Sequence, residues 1–482
     1  MSGRLVQVRR LRTHEELRAR LDDLQVELPV DAEVRTDGPL AAPLDIGPAG
    51  TLANRWAVLP MEGWDGTTDG RPTDLVRRRW RRFGESGAAL VWGGEAVAVV
   101  PEGRANPHQL CIGPSSLQDL TELRAEIEAG HRQTRGTTDG LIVGLQLTHS
   151  GRWSRPEGRP APRVAYRHPV LDQRVGATDA DVMSDGELDD LIGAFVAASR
   201  VAAEAGFDFV DLKQCHGYLG HELLSGVDRP GPYGGDLDGR TRFITSVVAA
   251  VRSAWPGLAL GTRLSASDGV PHVAGPDGIG VPDPSAPEPY RYAFGGDGTG
   301  HGEGLTEVHA LLDRLEAAGV DLLCVTVGSP YSNPHVQRPA YFPPSDGYLP
   351  PHDPLIDVAN LAATTARLTR AHPGLTVVGS GLTYLQEWFP HAAQALVRDG
   401  WMDVVGMGRM VLSYPTLPAD VLAGRPLTRN LLCRTFSDCT TAPRHGLVSG
   451  CYPLDEGYKQ RPERVELTRV KRAAAEGRGR RA

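Results

Sequence analysis

The chain has 482 residues, 40% of them apolar, with 59 acidic against 51 basic side chains and a formal net charge of −8. That length suits one large α/β barrel with additions or about two or three smaller domains, and the mild acidic excess, with residues 77–82 the one arginine block broken by an aromatic, speaks against a nucleic-acid face. No apolar window approaches a bilayer span and MSGRLVQVRRLRTHEEL lacks the apolar core of a signal peptide, so the expected location is the cytoplasm and no membrane partner is expected.

Residues 1–40 are expected to form a helical extension. Thr13-His14-Glu15-Glu16 has the form of a capping box, and the residues to about Leu28 suit a charged amphipathic helix. LDIGPAGTLANR, from Leu44, predicts a small hairpin through its Gly-Pro and Ala-Gly turn chemistry. The run Arg77-Arg78-Arg79-Trp80-Arg81-Arg82 lies in a helical context and is expected to be a solvated or phosphate-facing helix side.

Eight apolar runs then recur with helical stretches between them: Arg55–Met61, Ala88–Glu95, Leu141–His149, Phe207–Gln214, Leu258–Ala266, Asp321–Gly328, Leu375–Gly381 and Asp403–Arg409. Continuous rather than alternating apolar character suits strands covered on both faces, and alternation with helices suits parallel βαβ units. Eight such units closing on themselves predict an α/β fold of the (β/α)8 TIM-barrel type. A doubly wound sheet is the alternative, but no Gly-x-Gly-x-x-Gly follows an early strand. Long Gly/Pro-rich loops follow strands five (Asp268 to Gly304) and six (Ser329 to Pro354), which places both on the catalytic face. The expected division is 1–40 extension, 41–425 barrel, and 426–482 a cysteine-containing segment ending in the basic, mobile tail VKRAAAEGRGRRA.

The chemistry sits at the strand ends. The fourth run, FDFVDL, passes straight into Lys213, Cys215, His216 and Tyr218 and leaves through a loop closed by Tyr233-Gly234-Gly235. A cation, an imidazole and a phenol at the C-terminal end of a barrel strand are placed to face a substrate. Gly379-Ser380-Gly381 and Gly406-Met407-Gly408-Arg409 end the last two strands, where close backbone approach and an arginine suit a phosphate. His149 is expected to fix its own loop by hydrogen bonds, and Tyr331 and Tyr348 stand as alternatives for lining the pocket.

Taken in order, the strand ends PMEGW, GLQLTHSGRW, DLKQCHGYLGHELLS with PYGG and GRTRF, TRLSASD, VVGSGLT and VVGMGRM resemble the old yellow enzyme family of FMN-dependent oxidoreductases. So does PTDLVRRRWRRFGESGAALVWGGEAVAVVPEGR, and the resemblance runs from about Leu44 to Cys451. It implies FMN at the barrel mouth with NAD(P)H as reductant and a small-molecule substrate. Pro60, Met61, Glu62 and Ala96 would hold the isoalloxazine, Gln146 would meet its pyrimidine edge and Arg263 its N1–C2 region. Gly379, Ser380, Gly381, Gly408 and Arg409 would hold the phosphate. Lys213 and His216 would form the oxyanion pair, Tyr218 would be the proton donor, and Trp64 would line the substrate pocket.

Two positions depart from the family pattern. Lys213 replaces an imidazole or amide, and Glu62 stands where Thr or Cys is usual; both point to a specialised, carbonyl- or carboxylate-conjugated substrate, or to the oxidative direction. Cys433, Cys439 and Cys451 resemble a degenerate remnant of a family cluster motif, lacking its second cysteine, so no iron–sulfur cluster is expected and a metal on these three is the minority reading. The fused nicotinamide-binding domain of such relatives is not expected after Cys451. NAD(P)H would then reduce FMN directly, or a separate reductase would; a homo-oligomer is compatible with the sequence. The alternative of another class is a Schiff-base aldolase or lyase built on Lys213.

Overall fold

A computed structural model describes residues 5–345 and 347–479. All eight apolar runs become strands of one closed parallel sheet: Trp56–Val58, the paired pieces Leu90–Val91 and Ala96–Ala98, Ile142–Thr148, Phe209–Leu212, Ala259–Ser265, Leu322–Thr326, Thr376–Gly379 and Val404–Met407. The circle closes where Val405 pairs Trp56 and where Leu90 pairs both Ala57 and Ile142. The TIM-barrel reading therefore holds, because strands buried on both faces have no polar side to give to water.

The barrel interior is filled below the site by Trp92, Phe209, Ile142, Leu322 and Val404, all fully or almost fully buried. Trp92 and Phe209 meet edge to face at 5.2 Å. Gly144 makes the room: a Cβ there would stand 2.3 Å from Phe209 Cζ. The early hairpin forms as expected, Leu44 opposite Leu52, and it adds Ile46 and Leu52 to this cluster, plugging the bottom.

Outside the barrel, helices Asp74–Gly84 and Ser116–Arg135 touch backbone to backbone through Gly84 and Gly130. The arginine run is only partly solvated, with the Arg78 and Arg81 side chains 37% and 42% exposed and Arg79 reaching the cavity wall, and most of it is taken up in ion pairs. Arg77 pairs with Glu122 at 2.8 Å, Arg78 with Asp455 at 2.7 Å, and buried Arg79 with Asp65 and Glu95. Acidic partners on other segments decided this, and no local pattern displays them.

Three further details differ from expectation. The capping-box helix forms, but as His14–Asp23, since Gln25 turns to φ +55° and ends it before Leu28. The loop after the fifth strand contains a hairpin, His272–Ala274 with Gly280–Pro282, across the turn Gly275-Pro276-Asp277-Gly278. The C-terminal stretch is a helix, Glu463–Gly479, anchored by Leu467 in an apolar cluster and by Lys471 on Asp438 at 2.6 Å. Residues 480–482 of the expected tail lie outside the described residues. Among the described residues no helix is long and apolar enough to cross a membrane.

Candidate active site

A cavity of about 650 Å³ opens at the C-terminal ends of the strands. Its strand-end wall carries Pro60, Met61, Glu62 and Trp64 after the first strand, Ala96 on the second, Gln146 on the third and Arg263 on the fifth. Ser380, Gly381, Gly408 and Arg409 complete it at the last two strands. Gly379 does not reach the cavity; it packs against Met402, and its carbonyl comes close to Gly406, so its part is to let the two strands meet.

These residues fit a phosphate-bearing flavin. Arg263 Nε, Arg409 Nη1 and Glu62 Oε1 are buried without a hydrogen-bond partner, a costly state that a ligand with acceptors and an imide-type donor relieves. A Cβ on Gly408 would meet open space, and Gly381 sits at φ +83°, so two glycine backbones leave room there for a closely held phosphate. Ser380 is turned away, donating to Val325 O at 2.6 Å.

Beneath this wall lies a residue that the sequence reading passed over. Asp211, fully buried on the fourth strand, accepts from Gln146 Nε2 at 2.6 Å, Trp92 Nε1 at 2.7 Å and the Arg263 backbone N–H at 2.7 Å. It fixes the orientation of Gln146 and the height of Arg263 together. Burial pushes its carboxyl up to about 6, against the pull of the Gln146 and Trp92 bonds. The signal was available: a lone Asp inside FVDL is an acid in an otherwise apolar strand.

Above the wall, the fourth-strand cluster folds over the cavity. Lys213 is 5% exposed, and its Nζ stands 3.6 Å from the centroid of the Tyr218 ring, a cation–π contact that keeps an ammonium beside an aromatic face. Burial lowers its pKa, with Cys215 and Glu62 opposing. His216 adopts φ +66°, outside the usual range for a non-glycine residue. Its N–H donates to Ser265 Oγ at 3.0 Å, and its carbonyl accepts from Ser329 Oγ at 2.9 Å. Its Nε2 accepts from Gln337 Nε2 at 3.0 Å, and burial holds the ring neutral, well below the usual imidazole range.

Tyr218 sits one layer behind the cavity surface. Its hydroxyl donates to Glu62 Oε2 and lies 3.2 Å from Tyr331 Oη. Glu62, Lys213 and Tyr331, which its hydroxyl and ring touch, all line the cavity. Burial, and then the Glu62 charge, raise the Tyr218 phenol well above its ordinary value. Tyr331 is itself held flat on Trp153, centroids 4.2 Å apart and planes 12° apart. His149 behaves as expected, accepting the Gly151 N–H at 3.0 Å to fix the loop.

The opposite wall comes from loops. Arg155, Arg174, Tyr331, Arg338, Tyr348 and Arg444 line it. Among the described lining residues, seven arginines and one lysine face a single carboxylate, Glu62. Cys439 also reaches the cavity, while Cys433, Cys439 and Cys451 are free thiols. Burial raises the Cys439 and Cys451 thiols.

A family model described as the NADH:flavin oxidoreductase / NADH oxidase family matches residues 39–275, the part of the chain running from the bottom hairpin through the fifth strand. The NADPH dehydrogenase of Geobacillus thermodenitrificans (strain NG80-2) is 28% identical over 376 residues, which cover 76% of this chain and 89% of that protein. The family model and these relatives together support the old yellow enzyme family of NADH:flavin oxidoreductases.

The enzyme class these comparisons support is an FMN-dependent oxidoreductase. Solved structures agree on the fold. A complex of 2-naphthoyl-CoA reductase superposes with a TM-score of 0.64 at 18% identity, covering 86% of this chain and 56% of the other, so this chain spans little more than half of that one. The old yellow enzyme homologue from Zymomonas mobilis gives 0.55 at 19% identity, covering 81% and 94%.

Proposed function

We propose that this old yellow enzyme transfers reducing equivalents from NAD(P)H to a small acceptor whose C=C bond is conjugated to a carbonyl or carboxylate. When bound, FMN supplies the hydride chemistry, taking hydride from the reduced nicotinamide and giving it to the acceptor. Gln146, Arg263, Gly381, Gly408 and Arg409 would hold it along the strand-end wall. Lys213 and His216 bind the acceptor's oxygen, where negative charge grows as the double bond is reduced. A buried ammonium does this best for an oxygen that already carries charge, which favours a carboxylate-type acceptor.

The observation that carries the reading is the Tyr218–Glu62–Tyr331 arrangement beside Lys213. Tyr218 holds a proton at its hydroxyl; Glu62 and Tyr331 bring that proton to the cavity surface, where the carbon alpha to the carbonyl is protonated. The same carboxylate supports a second reading. Because Glu62 already accepts from Tyr218, the pair can also take up a proton, as the dehydrogenating direction needs. Family membership sets aside the Schiff-base aldolase alternative for Lys213.

The two half-reactions separate these roles. Tyr218→Phe should slow reoxidation of the reduced enzyme by an α,β-unsaturated carboxylate or ketone by about a hundredfold or more. Reduction by NAD(P)H, followed anaerobically in a stopped-flow instrument, should change less than about twofold, since no proton leaves Tyr218 in that half. Equal loss in both halves would remove Tyr218 from the proton path.

A further inference from the structure

Between the sixth strand and helix Pro354–Ala371 lies a side-chain cluster that no step of the proposed reaction uses. His335 is on the short helix Pro334–Gln337, His352 precedes helix Pro354–Ala371, and Asp357 lies in the first turn of that helix, 4% exposed. One donor atom from each lies within 4.8 Å of the others. His352 Nε2 is 3.0 and 2.9 Å from the two Asp357 oxygens.

The surroundings resemble those of ligating imidazoles. His335 Nδ1 is 2.7 Å from Tyr348 Oη, an outer partner that leaves Nε2 as the free ring nitrogen. His272, whose ring centroid lies 4.6 Å from that of His335, donates Nδ1–H to Val270 O at 3.0 Å and likewise keeps Nε2 bare. Two or three imidazoles with one carboxylate form a donor set for a borderline divalent cation. Donors on a tetrahedral zinc stand about 3.4 Å apart, given bonds of about 2.1 Å. The donor atoms here, within 4.8 Å of one another, are somewhat wider apart than that and would have to draw together on the ion. A simple His352–Asp357 ion pair at the helix start explains two of the three residues but not the gathered His335 nor its outer bond to Tyr348.

We propose that His335, His352 and Asp357 bind one divalent cation of the zinc class, with water or His272 as a further ligand. The metal has a structural part. It ties helix Pro334–Gln337 to helix Pro354–Ala371, and the first of these carries Gln337, which bonds His216, and leads directly into cavity-lining Arg338. Binding here is independent of the substrate reading.

The test uses the full-length, untagged chain, stripped with a chelator and dialysed against buffered micromolar Zn2+, with bound metal measured by elemental analysis. The expected result is about one zinc per chain, weakened about tenfold or more by His352→Gln and by Asp357→Asn and unchanged by Cys439→Ser. Circular dichroism and retained flavin absorbance confirm that each variant is folded; His352, half-exposed ahead of its helix, keeps the test valid should Asp357→Asn not fold. No zinc on the folded wild-type chain would overturn the proposal. So would zinc lost with Cys439→Ser but kept in His352→Gln, which would assign binding to the thiols.

Discussion

The two walls of the cavity are built by opposite means. The strand-end wall takes its residues from fixed positions at the tops of barrel strands, each held by a sheet neighbour or by buried Asp211. The loop wall draws on residues 155, 174, 272–274, 330–348 and 439–450, brought together from across the chain. The first wall holds unsatisfied donors suited to one planar, phosphate-bearing ligand. The second is an arginine-rich rim. A rigid wall of this kind suits the part of the chemistry that family members share, and a loop wall suits the part that differs between acceptors.

If both walls are equally closed to water, both should resist acid alike. His149 stands behind the strand-end wall and His168 behind the loop wall, each 3% exposed. Burial lowers both to about 3; Arg163 adds to this at His149, and Arg152 and Arg174 add to it at His168. Their neutral state is built in: His149 Nδ1 accepts from Gly151, and His168 Nδ1 accepts from Val170 and Leu171. The unfolded chain binds these protons below about pH 6.5 and the folded chain does not, so stability falls as pH falls through that window. Between pH 7.5 and 5.5 each histidine should cost about 1.4 kcal/mol, a factor of about ten in the folding equilibrium. Urea unfolding of His149→Gln and His168→Gln should each show a correspondingly smaller pH effect. A reduction with His149→Gln alone would mean that the loop wall opens and the comparison fails.

A smaller effect sharpens the contrast. Arg155 belongs to the loop wall and is only partly buried, so its contribution is that of a half-solvated charge. Arg155→Ala should raise KM for a carboxylate- or phosphate-bearing acceptor about fivefold, or about 1 kcal/mol, with kcat held. KM for a neutral cyclic enone should not move. An equal rise for both acceptors would make the arginine rim a packing feature.

The same contrast governs what could be read from the sequence. Strand ends announce themselves, because an apolar run stopping at LKQCHGY or GMGR fixes both the place and the direction of the side chains that follow. All the expected strand-end ligands except Gly379 line the cavity, and a glycine such as Gly379 that allows strand packing looks identical in sequence to one that lines a site. Loop residues carry no such address. Arg155, Arg174, Arg338 and Arg444 are ordinary surface residues until the chain folds. Asp65, Glu95 and Asp455 gave no sign that they would claim the arginine run. Tyr218 is legible as part of the fourth-strand cluster, but its seat behind Glu62 and Lys213 depends on a contact 156 residues away in the chain.

The central claim is that the strand-end wall is a flavin cradle whose phosphate end is closed by Arg409. Flavin content of the purified full-length protein, with riboflavin 5′-phosphate affinity measured by fluorescence quenching for wild type and Arg409→Ala, tests it most directly. The expected result is about one flavin per chain, with affinity falling about tenfold to a hundredfold in the variant, the worth of a charge-assisted contact to phosphate. A colourless protein that takes up no riboflavin 5′-phosphate, or a variant that binds it as tightly as wild type, would contradict the account.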